Sequence, residues 1–163
     1  MSRPRRREIH AVSASNQQEF EVRWADLDPN GHLRHTAYMD CAAQARVGFL
    51  HERGFTLERF RQLGIGPVLF REEARYLHEV RANERLRVTA EIAGLSPNRK
   101  HWRIRHLIYK SDGKLACIVE VQGAWLDLRA RKIKAPPPEL IAAMEQSPRT
   151  DDYAEFEPKK TVK

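Results

Sequence analysis

Thr36-Ala-Tyr-Met-Asp-Cys-Ala-Ala-Gln-Ala-Arg-Val-Gly-Phe-Leu-His-Glu-Arg53 runs eighteen residues without proline and meets Gly54, a residue suited to the left-handed turn that closes helices. It reads as one helix. Ala37, Tyr38, Met39, Cys41, Ala42, Ala43, Ala45, Val47, Gly48, Phe49 and Leu50 cover most of its circumference, so burial on nearly all sides is expected. Upstream, Phe20, Val22 and Trp24 alternate with Glu21, Arg23 and Ala25, the period of a half-buried strand, until Asp26-Leu-Asp-Pro-Asn-Gly31 turns the chain. Downstream, a short helical or irregular stretch over 57–63 ends at Gly64-Ile-Gly-Pro67. Four segments of strand character follow, over 68–80, 85–95, 100–110 and 115–128, broken by Ala82-Asn83, Ser96-Pro-Asn98 and Ser111-Asp-Gly113. Asp112-Gly113 is a hairpin signal. Residues 139–145, after three prolines, predict a last short helix. One strand, one buried helix and four strands without βαβ alternation make an α+β domain, an antiparallel sheet curved around the long helix. Its last strand is left as an edge that a second copy can continue. Phe70, Trp102 and Trp125 read as core.

Composition bounds the rest. A chain of 163 residues fits one domain. With 41% hydrophobic and 31% charged residues it is too apolar for a disordered chain, and no run approaches the ~20 apolar residues of a membrane span, so a soluble protein with no membrane partner is expected. Cys41 and Cys117 lack C-x-x-C spacing and read as buried free thiols. Met1-Ser-Arg-Pro-Arg-Arg-Arg-Glu8 is basic but has no apolar run behind it, so a cytoplasmic location is expected. Of the net charge of +7, residues 1–8 carry +3 and 147–163 are neutral, leaving +4 on the rest. That argues against a nucleic-acid partner and suffices for a small polyphosphate ligand. The chain divides into a basic flexible arm (1–13), one domain (14–146) and a flexible charged tail (147–163).

Chemistry concentrates in Trp24-Ala-Asp-Leu-Asp-Pro-Asn-Gly-His-Leu-Arg-His-Thr-Ala-Tyr38, which carries Asp26, Asp28, His32 and His35. Backbone N–H groups opening a helix have no intrahelical partners and lie at its positive end, so they can hold a developing oxyanion. A carboxylate in the preceding turn can attack the same carbonyl or deprotonate water beside it. Asp26 reads as a structural turn residue, His32 as turn-stabilising or pocket-lining, and Tyr38 as a core residue with its hydroxyl satisfied. Asp28, His32 and His35 have ligand chemistry, but they straddle a turn without a third spaced histidine, so no metal is expected.

This segment resembles the 4-hydroxybenzoyl-coenzyme A thioesterase family of hotdog-fold acyl-CoA thioesterases, through Trp24, Asp26, Asp28, Gly31, His32, Leu33 and Tyr38 and on into Ala45-Arg46. The resemblance implies a hotdog fold and an enzyme that hydrolyses an acyl-CoA thioester to acid and thiol, with CoA part of the substrate and no separate cofactor. It makes Asp28 the catalytic carboxylate, as base or nucleophile, and the His35 main-chain N–H the carbonyl donor. It sets His32 and Tyr38 at the substrate. It also implies a homodimer, often paired into a homotetramer, with the pantetheine arm entering between subunits. Arg99, Lys100 and Arg103 read either as the local basic group for the CoA phosphates or as a solvated strand end. Two departures stand out: His35 replaces an asparagine frequent among relatives, and a helix acid common there aligns with Ala43. The competing readings are a hotdog hydratase or dehydratase, disfavoured because Asp28 and His32 are four apart rather than five, and a non-catalytic acyl-carrier or RNA-binding module using the basic arm.

Overall fold

Strand and helix order follows the hydrophobic periods closely. The computed structural model describes residues 16–158, so the basic arm expected over 1–13 and residues 159–163 lie outside the described residues. Along the chain come β1 (Gln17–Glu21), a 3-10 turn (Trp24–Asp26), α1 (His35–Glu52), α2 (Leu57–Leu63), β2 (Ile65–Tyr76), β3 (Arg85–Thr89), β4 (Glu91–Leu95), β5 (His101–Lys110), β6 (Leu115–Asp127) and α3 (Pro138–Glu145). The strands form one antiparallel sheet in the order β1-β3-β5-β6-β2, with β4 also on β5.

The period of two in β5 buries Trp102, Ile104, His106 and Ile108 on one face, beside Cys117, Val119 and Val121 of β6. Onto that face α1 lays Ala37, Tyr38, Ala42, Ala45, Phe49 and Leu50, contacting β1, β3, β5 and β6. The core polar residue His106 is fully paired: its Nδ1–H donates to Thr89 O at 2.9 Å, and Arg46 Nη1 donates to its Nε2 at 3.1 Å. Burial first, and then the Arg46 charge, push the His106 imidazole down to about 3, so it is neutral in the fold. Both cysteines are free, their thiols pushed up to about 11 by burial. Among the described residues, no helix is long and apolar enough to cross a membrane.

Several expectations are corrected. Burial of α1 on nearly all sides does not occur in the single chain: His35, Asp40, Gln44, Val47 and His51 are exposed. Much of the helix's apolarity is alanine and glycine, which carry little area to bury, so covering one side suffices. The first strand stops at Glu21, and Trp24 sits in the 3-10 turn, 86% exposed. The segment over 85–95 breaks at Ala90 into β3, which pairs with β1 and β5, and β4, which pairs with β5. Trp102 and Trp125 are buried, as expected, but Phe70 is 60% exposed. It falls where the β2–β6 register shifts between Leu69 and Arg71, and such a bulge re-aims a side chain.

Residues 147–158 are not a loose tail either. Thr150 N donates to Ile92 O at 3.1 Å, Ala154 N to Ala93 O at 3.3 Å and Phe156 N to Leu95 O at 3.3 Å, strapping the chain along β4. A Cβ on Gly94 would stand 2.6 Å from Ala154 O, so glycine is what lets the strap approach. The segment's acids meet arginines of the sheet region: Asp152 pairs with Arg105 at 2.7 Å and Glu155 with Arg99 at 2.6 Å. Its charge neutrality in sequence therefore concealed pairing across the fold.

Candidate active site

Asp28-Pro-Asn-Gly31 supplies a β-turn with aspartate first, proline second and glycine last. Gly31 N donates to Asp28 O at 3.0 Å, with Gly31 at φ 76°, in the region open to glycine. The Asp28 side chain closes the same loop: Oδ1 accepts from Asn30 N at 2.8 Å and from His32 N at 3.1 Å. Its Oδ2 accepts from none of the described residues. One carboxylate oxygen is thus fixed by the backbone and the other is available. Asp26 does different work. It is buried, receives Arg23 Nη2 at 2.8 Å and Arg23 Nε at 2.9 Å, and is held below the usual carboxylate range chiefly by that hydrogen bond.

The entry to α1 is open. Its N-cap is Arg34, whose side chain supplies no cap, whereas Ser, Thr, Asp or Asn there would accept from the first N–H groups. Arg34 N donates to Asp26 O at 2.8 Å and Ala37 N to Arg34 O at 2.9 Å. The N–H groups of His35 and Thr36 find no acceptor among the described residues. They lie at the positive end of an 18-residue helix.

A cleft of ≈ 340 Å³ is lined by Asp28, His32, Leu33, His35 and Tyr38 on one side and by Tyr76, Leu77, His78 and Glu79 on the other. It brings Asp28, His32, His35 and Tyr38 together. Tyr38 is buried, with its hydroxyl pushed up to about 12 by burial, and its ring meets Tyr76 edge-on at 5.3 Å. The His35 ring is exposed, and the Tyr76 hydroxyl donates to His35 O at 3.4 Å. Sequence reasoning missed the far wall. Tyr76, His78 and Glu79 lie more than forty residues beyond Asp28, in a run with no local pattern of its own.

Arg99, Lys100 and Arg103 are not in this cleft. Arg99 is committed to Glu145 at 2.8 Å, Glu155 at 2.6 Å and Ser96 O at 3.0 Å, which withdraws it from ligand binding. Arg103 lies over the Phe156 ring at 3.9 Å and, with Phe70, Arg71, His101 and Gln122, lines a separate cleft of ≈ 400 Å³. Arg103 is in register with Gln122 and Arg71, five residues along β2 from Tyr76, or about 17 Å at ~3.3 Å per residue. Among the described residues, no group of three or more His, Cys, Asp or Glu is arranged to hold a metal ion.

The model of the Thioesterase-like superfamily matches residues 22–144. An L-carnitine dehydrogenase/betainyl-CoA thioesterase of Agrobacterium fabrum is 28% identical over 127 residues, 78% of this chain but 26% of that protein, so the chain spans about a quarter of that relative's length. A Staphylococcus aureus protein solved in complex with CoA superposes with a TM-score of 0.74 at 20% identity, covering 88% of this chain and 89% of its own. A 1,4-dihydroxy-2-naphthoyl-CoA thioesterase from Synechocystis does so at 0.72 and 17%, covering 80% and 95%. At these identities the two structures speak to the fold alone, α+β and hotdog-like.

Proposed function

As a member of the thioesterase-like superfamily, the chain has a family chemistry to build on, and we propose that it hydrolyses an acyl-CoA thioester to a free carboxylic acid and CoA at the cleft holding Asp28. The observation that carries this reading is the pairing of two unfilled groups: the second oxygen of the Asp28 carboxylate and the uncapped N–H groups that open α1 beside it. In the proposed reaction the thioester carbonyl oxygen lies at the His35 N–H, where the helix dipole stabilises the charge that develops on attack. The free Asp28 oxygen either takes a proton from the attacking water or attacks the carbon itself. In both routes the backbone bonds to Oδ1 keep the carboxylate from turning away. Leu33, Tyr38 and Tyr76 flank the path, with His32 at its side.

A second copy of the chain completes the site in this reading. Among the described residues β2 pairs only with β6, and Leu69, Phe70, Tyr76 and Leu77 along and just beyond it are 42%, 60%, 50% and 49% exposed. An antiparallel continuation of the sheet through this edge, giving a homodimer or a homotetramer, would cover them and leave α1 more nearly central. It would also carry the partner subunit's Arg71, His101 and Arg103 toward this Asp28 cleft. That cationic cleft, with Lys100 nearby, is the proposed seat of the CoA phosphates.

The test is a thiol-release screen over short-chain, long-chain and aromatic acyl-CoAs. Betainyl-CoA belongs in it because of the Agrobacterium relative's name. Turnover of at least one ester, lost in Asp28→Asn, is the expected result. No turnover across the panel, or full turnover by the variant, would overturn the proposal.

A further inference from the structure

We propose that His32 protonates the departing thiolate and that Glu79 is the residue that positions it, an inference that rests on the thioesterase reading above. His32 is tied to Asp28 through its main chain: Asp28 N donates to His32 O at 2.7 Å, and His32 N donates to Asp28 Oδ1 at 3.1 Å. Its backbone therefore keeps a set relation to the carboxylate. Across the cleft, His32 Nε2 lies 3.0 Å from Glu79 Oε2.

Glu79 is itself held from behind. Arg81 Nη2 and Nε donate to Glu79 Oε1 at 2.7 and 3.3 Å, leaving Oε2 for the imidazole, and Lys110 Nζ donates to the Glu79 carbonyl at 2.9 Å. The Arg81 hydrogen bond first, with His32, Arg81 and Lys110 charges adding, keeps the Glu79 carboxyl below its ordinary range. The loop and this segment are also stitched by the backbone, Leu33 N donating to Val80 O at 2.7 Å and His32 bridging to Arg81.

A protonated His32 carries N–H on both nitrogens. Nε2–H faces Glu79, and Nδ1–H has no acceptor among the described residues. Proton handling then divides between two groups that line the same cleft. Water loses one proton to Asp28 as its oxygen bonds to the acyl carbon. The C–S bond then breaks, its electron pair goes to sulfur, and sulfur takes the Nδ1 proton. The second water proton leaves with the carboxylic acid, and transfer from Asp28 through solvent restores His32. With the two side chains 32% and 50% exposed, the His32–Glu79 contact contributes little to stability.

The experiment compares kcat of the full chain on an acyl-CoA and on the same acyl group esterified to an aryl thiol, whose thiolate leaves without needing a proton. His32→Gln is expected to lose about 100-fold on the CoA ester, the lower end of general acid catalysis, and less than about fivefold on the aryl ester. Glu79→Gln should show the same pattern at about tenfold on the CoA ester. It alters no backbone contact, so it keeps the test decisive should His32→Gln unfold. Equal losses on both esters, or full activity of both variants on the CoA ester, would overturn the proton-donor role. Asp28→Asn loses activity on both esters. If it does not, the thioesterase reading of the site fails, independently of what His32 does.

Discussion

Replacing Asp28 in two ways separates its chemistry from its part in the turn. Oδ1 accepts two backbone N–H groups, from Asn30 at 2.8 Å and His32 at 3.1 Å, while Oδ2 accepts from none of the described residues. Asparagine keeps an oxygen at the first position and loses the charge at the second; alanine loses both. Asp28→Asn should therefore cost about 0.5–1 kcal/mol, the difference between a charged and a neutral acceptor at a largely solvated turn. Asp28→Ala should cost about 1–2 kcal/mol as both acceptors go. At roughly 2–4 °C per kcal/mol for a domain of this size, the asparagine variant melts about 1–4 °C below wild type and the alanine variant about 2–8 °C below it. Activity should not follow that order. Both variants lose the base or nucleophile, so both fall at least about 100-fold in kcat, equivalent to ~2.7 kcal/mol of barrier. Thiol release under saturating acyl-CoA and a thermal melt on the same preparations read the two effects apart. The reasoning is refuted if Asp28→Asn keeps more than a tenth of wild-type kcat, or if activity in the two variants tracks their Tm.

Three further outcomes follow from the packing. His106 is neutral in the fold, its imidazole pushed down from 6.5 to about 3, whereas an unfolded chain protonates near 6.5. Stability should thus be full above about pH 6.5 and fall toward pH 3 by at most about 1.4 kcal/mol per pH unit, and His106→Gln should flatten the Tm-against-pH curve between pH 6.5 and 4; parallel curves would show that the acid limb lies elsewhere. Gly94→Ala sets a Cβ 2.6 Å from Ala154 O, so the strap should shift, lowering stability by about 1–3 kcal/mol and opening 150–158 to limited proteolysis, while an unchanged digest would show that the strap accommodates it. Leu69→Arg places a charge on the open edge of β2, so a wild type that sediments as a dimer or tetramer should give a monomer of reduced kcat; a fully active monomer would remove the second copy from the site.

Much of this was legible before any coordinates. The Asp28-to-Gly31 turn, the start of α1 and the strand over 100–110 were read correctly because each depends on residues within a turn or two of one another. Backbone sterics and the periods of helix and strand act at that range. The errors share a cause. Trp24 continued an alternation that the 3-10 turn cut short, and Phe70 looked like core until the register of β2 against β6 turned it outward.

Asp28 and the open helix start are thus local facts, written in fifteen consecutive residues. What stands across from them is not. Glu79 meets His32, Arg99 is claimed by Glu145 and Glu155, and one side of α1 is left uncovered, only because distant segments close on one another. Pairing of this kind depends on which strands neighbour each other in the sheet, and loop closure over forty or more residues leaves no trace in the spacing of side chains along the chain.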